Sequence, residues 1–548
     1  MRRHYELLLK DAERRAKKSL RFQIKDKSSV KYGGFPDGRN VIQPKFSIYR
    51  VVNMAAVYMN KDSTLYKDPA LFEAITVGLD YIKREQRPNG TFDLVDCNFF
   101  SGPDTAFCVK RLLPFYKYVL KNPDAPAADV FNEKLREIIY AAANGMVEGG
   151  FHTPNHRWAI ASNLLECWKL FGEEKFKNRA EKYLAEGIDC TEDGEYAERS
   201  AGNYNRINND AMITIGDILG DEKYIDCAER NLNMMLTYLE PDDSIFTNNS
   251  TRQDRGVKIY PRDYYFEYLY MGKRRKSEKF LRAANYIMAL NDRMQHYPEF
   301  LINFMLNPDL IDLEFDECGY PTEYDAFYKE SGIVRRRKDN WSYTIINNAT
   351  NFVWFQNGDL CLSLKIGASL CEHRAFKSAS LVKNGDTYEM QQTMQGWYYL
   401  PFGEYRGTTD WWKMDNPNTR DKIYTPGIDF NVKVKEIEDG LEVKIAAKGV
   451  DRAPLRLELA FDAGAAILND HFNIEGLAGE CMIAKDGMIT ATRGDHAIEV
   501  GPAFYDHDFV AGKFGSEGRS PQCFTVYFTA STEFERTVTI KAKEGVLY

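Results

Sequence analysis

Ser342-Tyr343-Thr344-Ile345-Ile346, Phe352-Val353-Trp354-Phe355 and Leu360-Cys361-Leu362-Ser363-Leu364 decide the fold, because at these segments the chain changes its hydrophobic period. Apolar residues alternate or run on, and β-branched and aromatic types dominate, which is the pattern of strands. It continues through Phe430-Asn431-Val432-Lys433-Val434, Leu441-Glu442-Val443-Lys444-Ile445, Leu455-Arg456-Leu457-Glu458-Leu459 and Phe524-Thr525-Val526-Tyr527-Phe528. Asp439-Gly440 and Asp486-Gly487 read as hairpin turns. Residues 334–548 are expected to form an antiparallel β-sandwich, with the basic run Arg335-Arg336-Arg337-Lys338 as a solvated connector at its edge.

Upstream the period is helical. Leu71, Ile75, Leu79 and Ile82, or Leu135, Ile138 and Ile139, recur at three- and four-residue steps. Asn89-Gly90, Gly149-Gly150, Asp193-Gly194 and Pro241-Asp242-Asp243-Ser244 punctuate these runs. Units of about 45 to 60 residues read as stacked helical hairpins, none able to bury its apolar face alone. The expected class is α+β and multidomain: an α/α toroid, complete or incomplete, over residues 1–333, then the sandwich. Hairpins repeating in register would gather the Gly-containing loops at one end, where Asn98, Asn155, His156, Tyr204 and Arg252 could line one cleft.

The chain has 548 residues, too many for one ordinary core, with 44% apolar and 28% charged residues and a net charge of −8. That balance excludes a nucleic-acid binder, which needs a concentrated basic surface. No stretch approaches the roughly 20 apolar residues of a membrane helix. Met1-Arg2-Arg3-His4-Tyr5-Glu6-Leu7 runs into charged helix and not into an apolar leader, so a cytoplasmic location is expected, or secretion if a leader has been removed. The ten cysteines, Cys97, Cys108, Cys167, Cys190, Cys227, Cys318, Cys361, Cys371, Cys481 and Cys523, show no CxxC or zinc-ribbon spacing and read as reduced, mostly buried small residues.

Two loops carry the chemistry. Thr153-Pro154-Asn155-His156-Arg157-Trp158 and Asp193-Gly194-Glu195-Tyr196-Ala197-Glu198-Arg199-Ser200-Ala201-Gly202-Asn203-Tyr204 bring together a carboxamide, an imidazole, guanidinium groups and a phenol. Amide and cationic donors can hold the enolate that forms when a proton is removed beside a carboxylate, while a phenol or imidazole moves the proton.

A helical toroid followed by a β-sandwich, bearing these loops, resembles the heparinase II/III-like polysaccharide lyases and the related alginate lyases. In that family an Asn beside a His opens a helix and neutralises a uronate carboxylate, as Asn155-His156 would. An Asp-Gly, an acidic residue, a Ser and the catalytic Tyr then follow in order, matched by Asp193-Gly194, Glu198, Ser200 and Tyr204. The resemblance implies a third element from the sandwich, for which Cys371-Glu372-His373-Arg374 offers His373. With no second His nearby, no metal ligand set and no cofactor are implied, a structural ion being left open.

Each candidate has a plainer reading. Asn155 could be a helix N-cap after Pro154. His156 could be structural, although a helix start would keep it neutral and able to act as base or to orient a sugar. Tyr204 is one of 33 tyrosines, and a phenol with a reference pKa of about 10 needs cationic neighbours, for which Arg199 and Arg206 flank it. Asn98, Phe99, Asp104, Arg157, Trp158, Arg199 and Arg252 are expected to bind substrate. The aromatic run Gly396-Trp397-Tyr398-Tyr399-Leu400-Pro401 with Asp410-Trp411-Trp412 reads equally as a cap on the cleft or as sandwich core.

The reading that follows is a lyase that cleaves uronic-acid-containing glycans by β-elimination, leaving a 4,5-unsaturated sugar, with an anionic oligosaccharide or polysaccharide as its partner. One rival is a glycoside hydrolase on the same scaffold, using Asp104 with Glu198 or Asp193 with Asp210. The other is a non-catalytic carbohydrate-binding protein. The sequence leaves oligomeric state open.

Overall fold

Proline starts the helices that matter most. Its missing N–H costs nothing in the first turn and its fixed φ suits a helix start. In the computed structural model, which describes residues 1–314, 322–511 and 518–545, proline lies in the first two positions of α2 (Pro44–Met59), α3 (Pro69–Arg84), α4 (Gly102–Lys121) and α6 (Pro154–Phe171). The other helices of this unit are α1 (Arg2–Phe22), α5 (Ala128–Glu148), α7 (Glu174–Leu184), α8 (Tyr204–Leu219), α9 (Glu222–Leu236), α10 (Tyr265–Arg275), α11 (Glu278–Met294) and α12 (Leu301–Leu306). Cys318 lies outside the described residues.

The helices pair as hairpins, α2 with α3, α4 with α5, α6 with α7, α8 with α9 and α10 with α11. The first members also pack in a row, α2 on α4, α4 on α6, α6 on α8 and α8 on α10. The ends of the row meet: His4 of α1 lies 3.0 Å from the Tyr265 hydroxyl of α10 and 3.1 Å from Asn285 of α11. Helix α12 packs against α1, α2 and α4. This is the expected toroid of helical hairpins.

The two ends of the row differ. In the last three hairpins the internal turns are tight: residues 172–173, 220–221 and 276–277 suffice, with Gly172 and Gly220 in the left-handed conformation that ends a helix. The connections between hairpins are residues 85–101, 149–153, 185–203 and 237–264. All four punctuation points of the sequence fall in them, so they open together at the N-terminal ends of α4, α6, α8 and α10.

The second unit comprises Pro321–Tyr548 with the short segment Glu240–Asp242. Among the described residues it holds two nine-stranded sheets. Every pairing is antiparallel except Cys481–Ile483 against Cys523–Ser531. Apolar residues of both sheets, such as Phe352, Phe376 and Phe430, form one buried core, so the unit is a sandwich. Its strands begin at Tyr324–Tyr328, ahead of residue 334. Asp439-Gly440 makes the expected hairpin between Lys422–Ile437 and Gly440–Gly449. Asp486-Gly487 instead joins strands of different sheets.

The basic run is not a connector. It forms the strand Ile333–Lys338, with Arg335 0% exposed. Arg335 Nη1 donates to Glu240 Oε1 at 2.8 Å, Arg337 Nη1 donates to the Glu240 carbonyl at 3.0 Å, and Ser342 Oγ donates to Glu240 Oε2. A carboxylate contributed from outside the strands thus neutralises a charge that sequence alone assigns to solvent. The aromatic run is not core either, since Tyr398, Trp411 and Trp412 are exposed, Trp412 at 89%.

Candidate active site

Thr153 is the N-cap position of α6 but makes no side-chain cap. Asn155 therefore sits inside the first turn, which removes the N-cap reading. Its backbone N–H donates to Glu198 Oε2 at 3.0 Å, and its Oδ1 accepts from Thr153 Oγ1 at 3.2 Å. The side chain is fully buried, and Nδ2 has no hydrogen-bond partner. An unmet buried donor costs about 1–3 kcal/mol and is an uncommon feature of native proteins.

Glu198 comes from the connection before α8. Gly194, at φ +96°, lets that connection lie against α9, where an added Cβ would stand 2.5 Å from the Arg230 carbonyl carbon. Asn231 Nδ2 donates to the Gly194 carbonyl at 2.8 Å. Burial pushes the Glu198 carboxyl up, while the Asn155 N–H and Arg252 oppose that shift. Arg252 Nε lies 3.3 Å from Glu198 Oε1.

Tyr204 opens α8, its backbone N–H donating to Ser200 Oγ at 3.1 Å. The phenol is half-buried, lies under the Arg252 guanidinium at 5.4 Å from ring centroid to carbon, and accepts from Gln253 Nε2. The cation at this ring is thus Arg252. Arg199 pairs with Glu195 at 3.3 Å and Arg206 with Asp263 at 3.4 Å, correcting the expectation that they flank the phenol.

Helix α4 supplies the neighbouring wall. Ser101 Oγ accepts from the Asp104 N–H at 3.1 Å and donates to Asp104 Oδ2 at 2.7 Å, a reciprocal cap. Asn98 Nδ2 also donates to Asp104, at 3.1 Å, and Lys45 Nζ lies 3.9 Å from it. Asp104 is buried and spent on these partners, so it is a positioning group and not a substrate contact. Phe107 meets the edge of His156, ring centroids 5.9 Å apart.

His156 is held neutral as expected, but chiefly for another reason. Burial lowers its pKa to about 4; Asp104 opposes, and His152, Arg252 and Lys45 add to the lowering. The His152 backbone N–H donates to Nδ1 at 3.4 Å, which assigns the ring proton to Nε2. A neutral His156 in this tautomer offers a hydrogen-bond donor and not a base. The charges of Asp104 and Arg252, both felt at His156, tie the α4 wall to the Tyr204 cluster.

Other candidates fare differently. Trp158 is 0% exposed and its indole donates to Asp189 at 2.6 Å, so it packs the interior and cannot stack on a sugar. Arg157 is held by Glu186 at 2.9 Å and lies over Trp158, an internal strut. Phe99 is 59% exposed and remains an open aromatic face. His373 lies in the second unit, on the strand His373–Ala375, with Nε2 3.2 Å from the Gln395 carbonyl oxygen. No cluster of three His, Cys, Asp or Glu side chains suited to a metal occurs among the described residues, and no helix among them is long and apolar enough to cross a membrane.

The sequence reading missed Lys45 and Gln253. A signal for Lys45 was present: Pro44-Lys45, Pro103-Asp104 and Pro154-Asn155 place a polar residue directly after the starting proline of α2, α4 and α6, and Pro261-Arg262 does so just before α10. The outer helix α3 has Pro69-Ala70 instead. Gln253 carried no comparable mark.

No protein-family model matches the sequence, and no curated protein matches it. Solved structures do match in shape. A Paenibacillus xanthan lyase aligns over 99% of this chain with TM-score 0.56 and 11% identity, and this chain spans 56% of that protein's length. Heparinase III aligns over 91% of this chain and 77% of its own, with TM-score 0.55 and 11% identity. A heparan sulfate lyase mutant from Pedobacter heparinus aligns over 98% and 84%, with TM-score 0.53 and 12% identity. The fold is that of the toroid-plus-sandwich polysaccharide lyases. The heparinase III and heparan sulfate lyase structures share this fold with the chain.

Proposed function

We propose that this protein is a polysaccharide or oligosaccharide lyase that cleaves a uronic-acid-containing glycan at C4 by β-elimination. The observation that carries the proposal is the linked set Asn155–Glu198–Arg252–Tyr204, joined by one hydrogen bond, one ion pair and one cation over a ring. In it a donor without a partner and a cation-covered phenol stand at adjoining helix starts.

In the proposed step the uronate carboxylate hydrogen-bonds to Asn155 Nδ2, with His156 Nε2–H as a second donor. Both spread the negative charge that builds as the C5 proton leaves. Because Nδ2 is sealed from solvent, the carboxylate reaches it only after a local shift of the chain around it. The C5–H electrons become the C4=C5 double bond, the C4–O4 bond breaks, and O4 takes a proton. Tyr204 is the proton carrier: as a phenolate, its charge steadied by Arg252 and by the Gln253 donor, it takes the C5 proton and passes it to O4. Phe99 offers a face for a neighbouring sugar. His373 is a candidate through the family resemblance alone.

The hydrolase alternative needs a free carboxylate pair. Asp104 and Glu198 are buried and committed to other groups, and Asp210 is paired with Lys110 at 2.5 Å. The test is direct. Incubation with a panel of uronic-acid polymers and oligomers should raise ultraviolet absorbance from an unsaturated product. In oxygen-18 water, cleavage should give fragments whose summed mass equals the substrate, without label. Label in the product and no unsaturation would overturn the proposal.

A further inference from the structure

Two thiols meet beneath the connection that carries Glu198 and Tyr204. Cys190 lies on that connection and Cys227 on α9, and neither is in a disulfide. Cys190 Sγ is 3.8 Å from the Cys227 carbonyl oxygen. Arg230 reaches both sides of the contact: Nη2 is 3.6 Å from Cys227 Sγ and Nε donates to the Thr191 carbonyl at 3.3 Å. Cys190 lowers the Cys227 thiol, burial opposes, and Arg230 adds to the lowering. By contrast, burial pushes the lone thiols Cys108 and Cys167 up, as expected of inert core cysteines.

We propose that Cys190 and Cys227 form an oxidative modification site, closing to a disulfide in the presence of hydrogen peroxide. Cys190, which is half-buried, is the more accessible of the two. The Cys227 thiolate attacks one peroxide oxygen; the O–O bond breaks, giving a sulfenic acid and a hydroxide that is protonated to water. The Cys190 sulfur then attacks the Cys227 sulfur, the S–O bond breaks, and the departing hydroxide takes the Cys190 proton to form a second water. Two thiols lose two electrons in all, and one peroxide gains them.

The position gives the bond a consequence. Cys190 bridges Tyr196 across the connection, so a disulfide to α9 ties down the base of the segment that ends at Tyr204. The proposal does not rest on the lyase reading, and its test does not read activity.

The full-length protein is treated with hydrogen peroxide, its remaining thiols are alkylated, and its peptides are mapped by mass spectrometry. A peptide linking Cys190 to Cys227, lost on treatment with dithiothreitol, is expected, together with slower hydrogen exchange over residues 191–204. Arg230→Met should slow the linkage several-fold. In Cys190→Ser the chemistry should stop at a Cys227 sulfenic acid that a cyclic 1,3-diketone traps. If both cysteines are still alkylated at a dose that oxidises the exposed Cys97, or if each reaches the sulfinic acid unlinked, the proposal is wrong.

Discussion

The backbone N–H of Asn155, in the first turn of one helix, donates at 3.0 Å to the buried Glu198 carboxylate from the connection before the next. This bond fixes the carboxamide beside the cluster in which Arg252 covers Tyr204, and it does so without using the side chain. The amide Nδ2 is left over.

Tyr204→Phe keeps the ring and the helix start and removes only the oxygen. Turnover should fall by about two to four orders of magnitude, the usual scale for a general acid or base, with an unchanged circular dichroism spectrum. Near-native rates would exclude Tyr204 as proton carrier.

Asn155→Ala deletes an unsatisfied donor and no cap. Stability to urea should change by less than about 1 kcal/mol, in either direction, because losing a buried unmet group offsets the lost contact with Thr153. The kcat should drop far more than KM rises, since the donor matters most as charge develops. A change confined to KM would sink the proposed role.

His156 titrates near pH 4 in the folded chain and about 6.5 when unfolded. Below the unfolded value the unfolded chain takes up the proton first, so this contribution to stability is complete above about pH 6.5 and is lost as pH falls toward 4. His4 is lowered to about 4 by burial and contributes with the same sign. Denaturant midpoints at pH 7 and pH 5 should converge in His156→Gln relative to the parent chain. An unaltered pH dependence would mean that His156 is solvated.

Glu240→Ala leaves Arg335 charged and buried. Breaking such a pair from one side costs about 3–5 kcal/mol, so thermal unfolding should shift down markedly. A loss below about 1 kcal/mol would show that Thr344 and Tyr324, its other partners, satisfy the guanidinium alone.

Chelation should leave activity intact, because the proposed chemistry uses an amide, an imidazole and a phenol. Dialysis against EDTA followed by the absorbance assay checks this. Inactivation reversed by zinc or calcium would require a metal in the mechanism.

Periodicity carried the fold because burial imposes it directly: Leu71, Ile75 and Leu79 are all fully buried on one helix face. The site was legible where its residues are neighbours in sequence, as with Asn155 and His156. It was not legible where direction matters. Arg206 stands two positions after Tyr204 in the same helix, and such residues do not face each other, while Arg199 turns away through a left-handed backbone, φ +50°. The cation that covers the phenol comes from a distant connection. For the same reason Arg335 looked like a solvent residue until Glu240 was placed against it, and Trp158 looked like a sugar platform until its burial was seen.

The unequal ends of the helical row give the molecule a handle. Gly172 and Gly220 sit at tight turns on the end opposite the candidate site, at positions where an added Cβ would meet nothing. A dye, a surface tether or a fused reporter grafted at residues 172–173 or 220–221 should therefore leave the rim of the candidate site unobstructed. Immobilised in that orientation, the protein would present every copy of its working end to a polymer in solution.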